Sequence, residues 1–178
     1  MDNQSSTPAQ PKRRRFIALT AAGGLLAIIA LAGLLWFWPI SEAPQVTFTG
    51  LDGQKQSTAD LRGKVVLVNF WATSCTTCVG EMPKIIETYN KYHAQGFETI
   101  AVAMSYDRPD YVLNFATTRK LPFTVALDPQ GELAKNFGNV SVTPTTFLID
   151  KRGHVIRRYI GEPDFDALHA LLEKELRG

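Results

Sequence analysis

The chain has 178 residues, of which 45% are hydrophobic and 20% charged, and a formal net charge of +2. That length suits one globular domain plus an appendage. The balanced charge excludes a nucleic-acid binder built on a basic patch, and two cysteines, Cys75 and Cys78, are too few for a structural disulfide framework.

Residues 1–11, rich in Ser, Gln and Pro, read as a disordered tail. Together with Lys12, Arg13, Arg14 and Arg15 they form a basic segment, residues 1–15. Residues 16–38 carry no charge, and Thr20 is their only polar side chain. About 20 helical residues span a bilayer core, so this run is expected to be a transmembrane signal-anchor. Basic residues stay cytoplasmic and indoles favour the interface. The N-terminus is therefore expected in the cytoplasm, Trp36 and Trp38 at the far interface, and the rest of the chain across the membrane. A cleaved signal peptide fits less well, because its apolar region is usually about 7–15 residues and Pro44 would follow the only small-residue site, Ser41-Glu42-Ala43. Arg13 to Ile17 also matches a twin-arginine export signal, but a basic anchor flank accounts for the same residues. Beyond residue 38 there are 15 Lys/Arg against 16 Asp/Glu, a net of −1, so the positive charge belongs to the anchor flank.

Residues 39–45 form a Pro-bounded linker, and residues 46–178 suffice for one well-buried core. Val46–Thr49 and Lys55–Ser57, around Gly50-Leu51-Asp52-Gly53, read as a hairpin. Val65–Phe70 is a continuous apolar strand of the doubly covered kind. A helix is expected from about Cys75 to Ala94, with Met82, Ile85, Ile86 and Tyr89 at helical spacing. Next come a strand at Thr99–Met104, a helix at Asp110–Thr118 capped by Asp110, and a strand at Thr124–Leu127. A short helix, Glu132–Phe137, ends at Gly138. The strands Thr145–Ile149 and Val155–Ile160 flank a hairpin turn, and Asp164–Leu176 is an amphipathic helix. This order predicts an α/β layered domain with a central mixed sheet.

The two thiols stand as Cys75-Thr76-Thr77-Cys78 between strand and helix. Residues three apart share a helix face with Cβ atoms about 5–6 Å apart, and a small adjustment of the first turn brings them to disulfide range. A helix N-terminus adds partial positive charge and free N–H groups, which favour a thiolate. Cys75, nearer the helix end, is the expected nucleophile, and Cys78 the resolving thiol. A loop this short restrains the unfolded chain little, so stability is a poor explanation for the pair. A zinc site needs about four ligands, whereas His93, His154 and His169 are scattered and read as ordinary surface or boundary residues. No metal is expected, and no cofactor beyond the redox-active disulfide itself.

The segment Val65–Pro83, VVLVNFWATSCTTCVGEMP, resembles the active-site segment of the thioredoxin superfamily, and within it the membrane-anchored TlpA/ResA/CcmG-type thiol–disulfide oxidoreductases of bacteria. Phe48–Gly53, Asp60–Lys64 and Thr143–Asp150 extend the resemblance over essentially the whole chain beyond residue 45. It implies a thioredoxin-like fold with an N-terminal hairpin extension. It also implies that Pro83 kinks the first long helix, that Pro144 follows a cis bond facing the cysteines, and that Thr143 pairs with substrate peptide. Glu81, three after Cys78, matches an acidic residue placed to exchange a proton with that thiol. Trp71 matches an aromatic shield beside the site. Ser74 and Asn69 depart from common patterns: many members carry Trp directly before the first cysteine, and cytosolic thioredoxins carry a buried Asp where Asn69 stands. Thr76-Thr77 leaves the reduction potential open between about −120 and −270 mV.

The expected protein is an enzyme of the bacterial inner membrane, a single-pass thiol–disulfide oxidoreductase with a periplasmic domain. By resemblance it reduces disulfides of periplasmic client proteins in cytochrome c or copper-oxidase maturation, and a membrane thiol-reductant carrier supplies its electrons. No nucleic acid is expected as a partner. Two alternatives remain on the same fold: a copper-binding assembly chaperone, since soft thiolates suit Cu(I), and a thiol oxidant running the same steps backwards. Copper chaperones of this fold pair a CxxxC motif with a distant His, whereas here the spacing is CxxC and His154 lies in a hairpin turn. A peroxidase lacks support, because Trp71–Ser74 does not carry the Pro- and Thr-containing lead-in.

Overall fold

A computed structural model of the chain describes residues 42–178. The basic tail, the expected membrane anchor and the first part of the linker lie outside the described residues. Among those described, no helix is long and apolar enough to cross a membrane.

The elements are β1 (Thr47–Thr49), β2 (Lys55–Ser57), β3 (Val65–Trp71), α1 (Thr76–Tyr92), β4 (Phe97–Ala103), α2 (Pro109–Arg119), β5 (Thr124–Leu127), α3 (Glu132–Asn136), β6 (Thr145–Ile149), β7 (Val155–Ile160) and α4 (Phe165–Arg177). β1 and β2 form an antiparallel hairpin, and the main sheet runs β5-β4-β3-β6-β7. β3, β4 and β5 are parallel, while β6 and β7 complete the sheet antiparallel. The expected mixed central sheet is therefore present, with five strands.

All seven residues of β3 are buried, because the strand is hydrogen-bonded on both edges and covered on both faces. Strand side chains alternate between faces. Leu67 and Trp71 join Met82 and Ile85 of α1, Val112 of α2, and Leu168 and Leu172 of α4. Val66, Val68 and Phe70 meet Phe48 of the hairpin and Leu133 and Ala134 of α3. The hairpin is also tied to the sheet edge, where Leu51 N–H donates to the Val125 carbonyl at 3.0 Å.

Most element ends lie within a residue or two of expectation, and three differences have a clear physical cause. β4 begins at Phe97 rather than Thr99, because Val65 and Phe97 are register partners and Lys64 pairs with Glu98 at 3.2 Å. α2 begins at Pro109, with Arg108 as its N-cap. Proline's fixed φ suits a first helical position, so Asp110 falls inside the first turn and receives two bonds from the Arg108 guanidinium at 3.1 and 2.8 Å instead of capping. α1 ends at Tyr92 and passes into a 3-10 turn, His93–Gln95, which Gly96 closes at φ 94°. Within the expected linker, Glu42 bridges to His154, and buried Ala43 donates its N–H to the Gly153 carbonyl at 2.9 Å.

Phe48 has no exposed surface and packs on Phe137, their ring centroids 6.3 Å apart. Phe48→Ala is expected to destabilise the domain by about 3–5 kcal/mol through the cavity it leaves, which urea unfolding of the variant would measure.

Candidate active site

β3 ends at Trp71 beside Ala103 of β4, and Phe70 is the register partner of Thr145, where β6 begins. Three loops therefore leave neighbouring strands at one end of the sheet: residues 72–75, residues 104–108 and residues 140–144. The carboxyl ends of parallel strands are the usual place for a site in α/β sheets.

Cys75 is the N-cap of α1, with extended backbone, and its Sγ accepts the Cys78 N–H at 3.2 Å. Its side chain thus takes up one of the donors that a helix start leaves unpaired. Cys75 is half-buried and Cys78 fully buried. Their sulfurs are joined as a disulfide across a Cα–Cα distance of 5.2 Å. A sulfur that already receives a helix-end N–H is set up to carry negative charge once the bond is reduced.

Glu81 follows Cys78 by three residues on the same helix and has no exposed surface. Its Oε1 accepts from Asn69 Nδ2 at 3.0 Å, and the same amide donates to Thr146 Oγ1 at 2.9 Å. Glu81 Oε2 has no partner among the described residues. Burial raises the Glu81 pKa to about 7, against the opposing effect of the Asn69 bond. Glu81 was singled out by the family resemblance, but its partners Asn69 and Thr146 were not. The signal for them was a polar side chain inside the apolar run of β3, since a buried amide needs a partner.

Trp71 is fully buried and packs on Phe115 with ring centroids 5.1 Å apart. It lies under the site and shows no surface to solvent. The Thr143–Pro144 bond is cis. The Pro144 carbonyl accepts from Gly161 N–H at 2.8 Å, and the Val142 carbonyl accepts from Thr145 Oγ1 at 2.7 Å. Among the described residues neither the N–H nor the carbonyl of Thr143 has a hydrogen-bond partner, which leaves both open to an extended chain.

The three histidines stand elsewhere. His154 contacts Asp150 at 3.3 Å in the β6–β7 turn, at the opposite end of the sheet from the cysteines. His169 meets Thr88 Oγ1 at 2.8 Å, and His93 meets the Phe97 carbonyl at 3.1 Å. Among the described residues no group of three or more His, Cys, Asp or Glu could hold a metal ion.

A dithiol capping the helix that follows the central strand of such a sheet defines a thiol–disulfide exchange protein of thioredoxin-like fold. The redoxin family model matches residues 40–172, and the chain belongs to that family. It is 42% identical over 134 residues to the thiol–disulfide oxidoreductase ResA of Bacillus thuringiensis subsp. konkukian, a match covering 75% of this chain and 76% of the relative. With ResA of Bacillus subtilis the identity is 31% over 168 residues, 89% of this chain and 91% of the relative. The solution structure of a candidate thioredoxin from Neisseria meningitidis superposes with a TM-score of 0.73 at 42% identity, covering 78% of this chain and 92% of that one. The protein is a thiol–disulfide oxidoreductase with a CxxC pair at disulfide distance.

The raised Glu81 pKa has a consequence for stability. A folded-state pKa above the unfolded value of about 4.5 gives a contribution that is complete below pH 4.5 and lost as pH rises through about 7. Relative to Glu81→Gln, the native oxidised chain is expected to lose about 3 kcal/mol over that window. Urea unfolding of both chains across pH would show the two stability curves diverging.

Proposed function

We propose that the chain is a membrane-tethered reductant of disulfides in periplasmic client proteins. The observation that carries this reading is the buried Glu81–Asn69 pair, set one helical turn below Cys78, with half-buried Cys75 at the helix end.

The Cys75 thiolate attacks a client disulfide. The client S–S bond breaks, a mixed disulfide forms, and one client thiolate leaves and takes a proton. Glu81, as carboxylate, accepts the Cys78 proton. The Cys78 thiolate attacks Cys75 Sγ, the mixed disulfide breaks, and the second client thiolate leaves. The client gains two electrons, and Cys75–Cys78 ends as the oxidised disulfide. A carboxyl with a pKa of about 7 is matched to that transfer near neutral pH. The unpaired backbone at Thr143 receives the client chain, the bond from Gly161 N–H to the Pro144 carbonyl holds that backbone in place, and Trp71 supports the floor of the site.

The apolar run at residues 16–38, with its basic flank, is the tether, with residues 1–15 in the cytoplasm and residues 46–178 in the periplasm. The periplasm is kept oxidising, so a membrane thiol carrier must return electrons to the pair. Clients of the kind implied by the resemblance are the haem-binding cysteines of apocytochromes c and the copper-site cysteines of oxidase subunits. Copper delivery is less well supported, because His154 stands at the far end of the sheet and cannot join Cys75 and Cys78 on one ion.

The full chain in detergent, equilibrated with thiol buffers, is expected to show a potential below about −220 mV, whereas a value near −120 mV would mark an oxidant. Cys78→Ser should accumulate the mixed disulfide with client, and Cys75→Ser should abolish exchange. Tight stoichiometric Cu(I) binding in a parallel titration would favour the chaperone instead.

A further inference from the structure

The β4–α2 loop is absent from the scheme above, yet two adjacent residues on it hold both walls of the site. Asp107 is buried, and its carboxylate accepts the Thr73 N–H and the Thr73 hydroxyl, each at 2.6 Å. Thr73 lies two residues before Cys75 on the loop that leads to the helix cap. Bonds to a carboxylate are among the stronger hydrogen bonds, and a buried carboxylate requires them. Tyr106, one residue earlier, places its hydroxyl 3.1 Å from Thr143 Oγ1 while the residue stays 60% exposed.

The same end of the sheet carries further exposed apolar surface. Val142 precedes Thr143 and is 54% exposed. Ile160, the register partner of Thr145, is 66% exposed beside the Gly161–Pro144 bond. Tyr106, Val142 and Ile160 thus lie at the same end of the sheet as Thr143-Pro144. Large apolar groups held out in water beside an unpaired backbone point to a chain that covers them.

We infer that Tyr106 and Asp107 form a brace across the site: Asp107 is a positioning residue that fixes the Cys75 loop through Thr73, and Tyr106 is a specificity-determining residue that selects client segments with an apolar side chain next to the cysteine. The inference rests on the proposed role of Thr143 as the wall that receives the client. It divides one loop between two tasks. Loss of Asp107 displaces the attacking sulfur for every substrate. Loss of the Tyr106 ring removes contact with the client's neighbouring side chain while the Asp107–Thr73 bonds remain.

The test uses the prereduced full chain in detergent and two short disulfide-linked peptides, one with Leu and one with Glu beside the cysteine. Single-turnover reduction yields a maximal rate and a half-saturating concentration for each. Tyr106→Ala is expected to raise the half-saturating concentration for the Leu peptide about fivefold or more, with little change for the Glu peptide, so that the preference between them disappears. Asp107→Ala is expected to lower the maximal rate on both peptides alike, by about tenfold to a hundredfold. Asp107→Asn should restore it, because an amide can accept the Thr73 N–H and donate to the Thr73 hydroxyl. Should Asp107→Ala not fold, Thr73→Val removes only the hydroxyl's bond and should lower the maximal rate in the same way, less steeply. An unaltered Leu-to-Glu preference in Tyr106→Ala, or an unaltered maximal rate in the folded Asp107 or Thr73 variant, overturns the brace. Half-saturating concentrations unaltered for both peptides in Thr143→Pro, which removes the N–H offered to the client, would overturn the role of Thr143 as the receiving wall instead, so the two failures are distinct.

Discussion

β3 carries the site because nothing about it is free to move. It is paired along both edges, to β4 and to β6, and covered on both faces by buried apolar side chains. Its last residue, Trp71, is fully buried, and only Ala72, Thr73 and Ser74 separate it from Cys75. The position of the reactive sulfur is therefore inherited from the most constrained strand of the domain. Its neighbours β4 and β6 deliver the Tyr106-Asp107 loop and Thr143-Pro144 to the same end.

β3 is also interrupted, once, by a polar residue. Asn69 spends both amide hydrogens on Glu81 and Thr146 and so links the strand to α1 and to β6. Such a link costs stability when half satisfied, and Glu81 Oε2 and Asn69 Oδ1 are both without partners among the described residues. An apolar trio at these positions would suit the core better. The retained carboxyl is pushed by burial to a pKa of about 7, the range in which a group can both take and return a proton near neutrality. Under the proposed proton transfer, stability and function pull in opposite directions at Glu81, and the fold carries the cost of burial on its two large apolar clusters.

The cysteines show a similar division of labour. Cys78 belongs to the core cluster that α1 shares with the sheet, whereas Cys75 is half-buried at the cap. One sulfur can be reached from outside and the other only by its partner. That difference in access is the physical basis for the proposed order of steps, with Cys75 first and Cys78 second.

Much of this was legible in the amino-acid sequence, because it is written in local patterns. The continuous apolar run of β3, the helical spacing of Met82 and Ile85, the hairpin at Asp150–Gly153 and the Cys-Thr-Thr-Cys string each act over a few residues, and the elements and the dithiol follow from them. The α2 boundary was misplaced locally too, since Asp110 is a good cap residue and only the neighbouring Pro109 outweighs it. What no local pattern carries is which distant side chains meet. Asn69 and Thr146 stand 77 residues apart, Thr73 and Asp107 34, Tyr106 and Thr143 37. Those pairs exist because strands β3, β4 and β6 lie side by side in an order different from their order in the chain. The sequence by itself determined the reactive chemistry, two thiols at a helix start. Only the tertiary structure decided their surroundings, because the burial that raises the Glu81 pKa and the loops that frame the site arise when the sheet brings remote segments into contact.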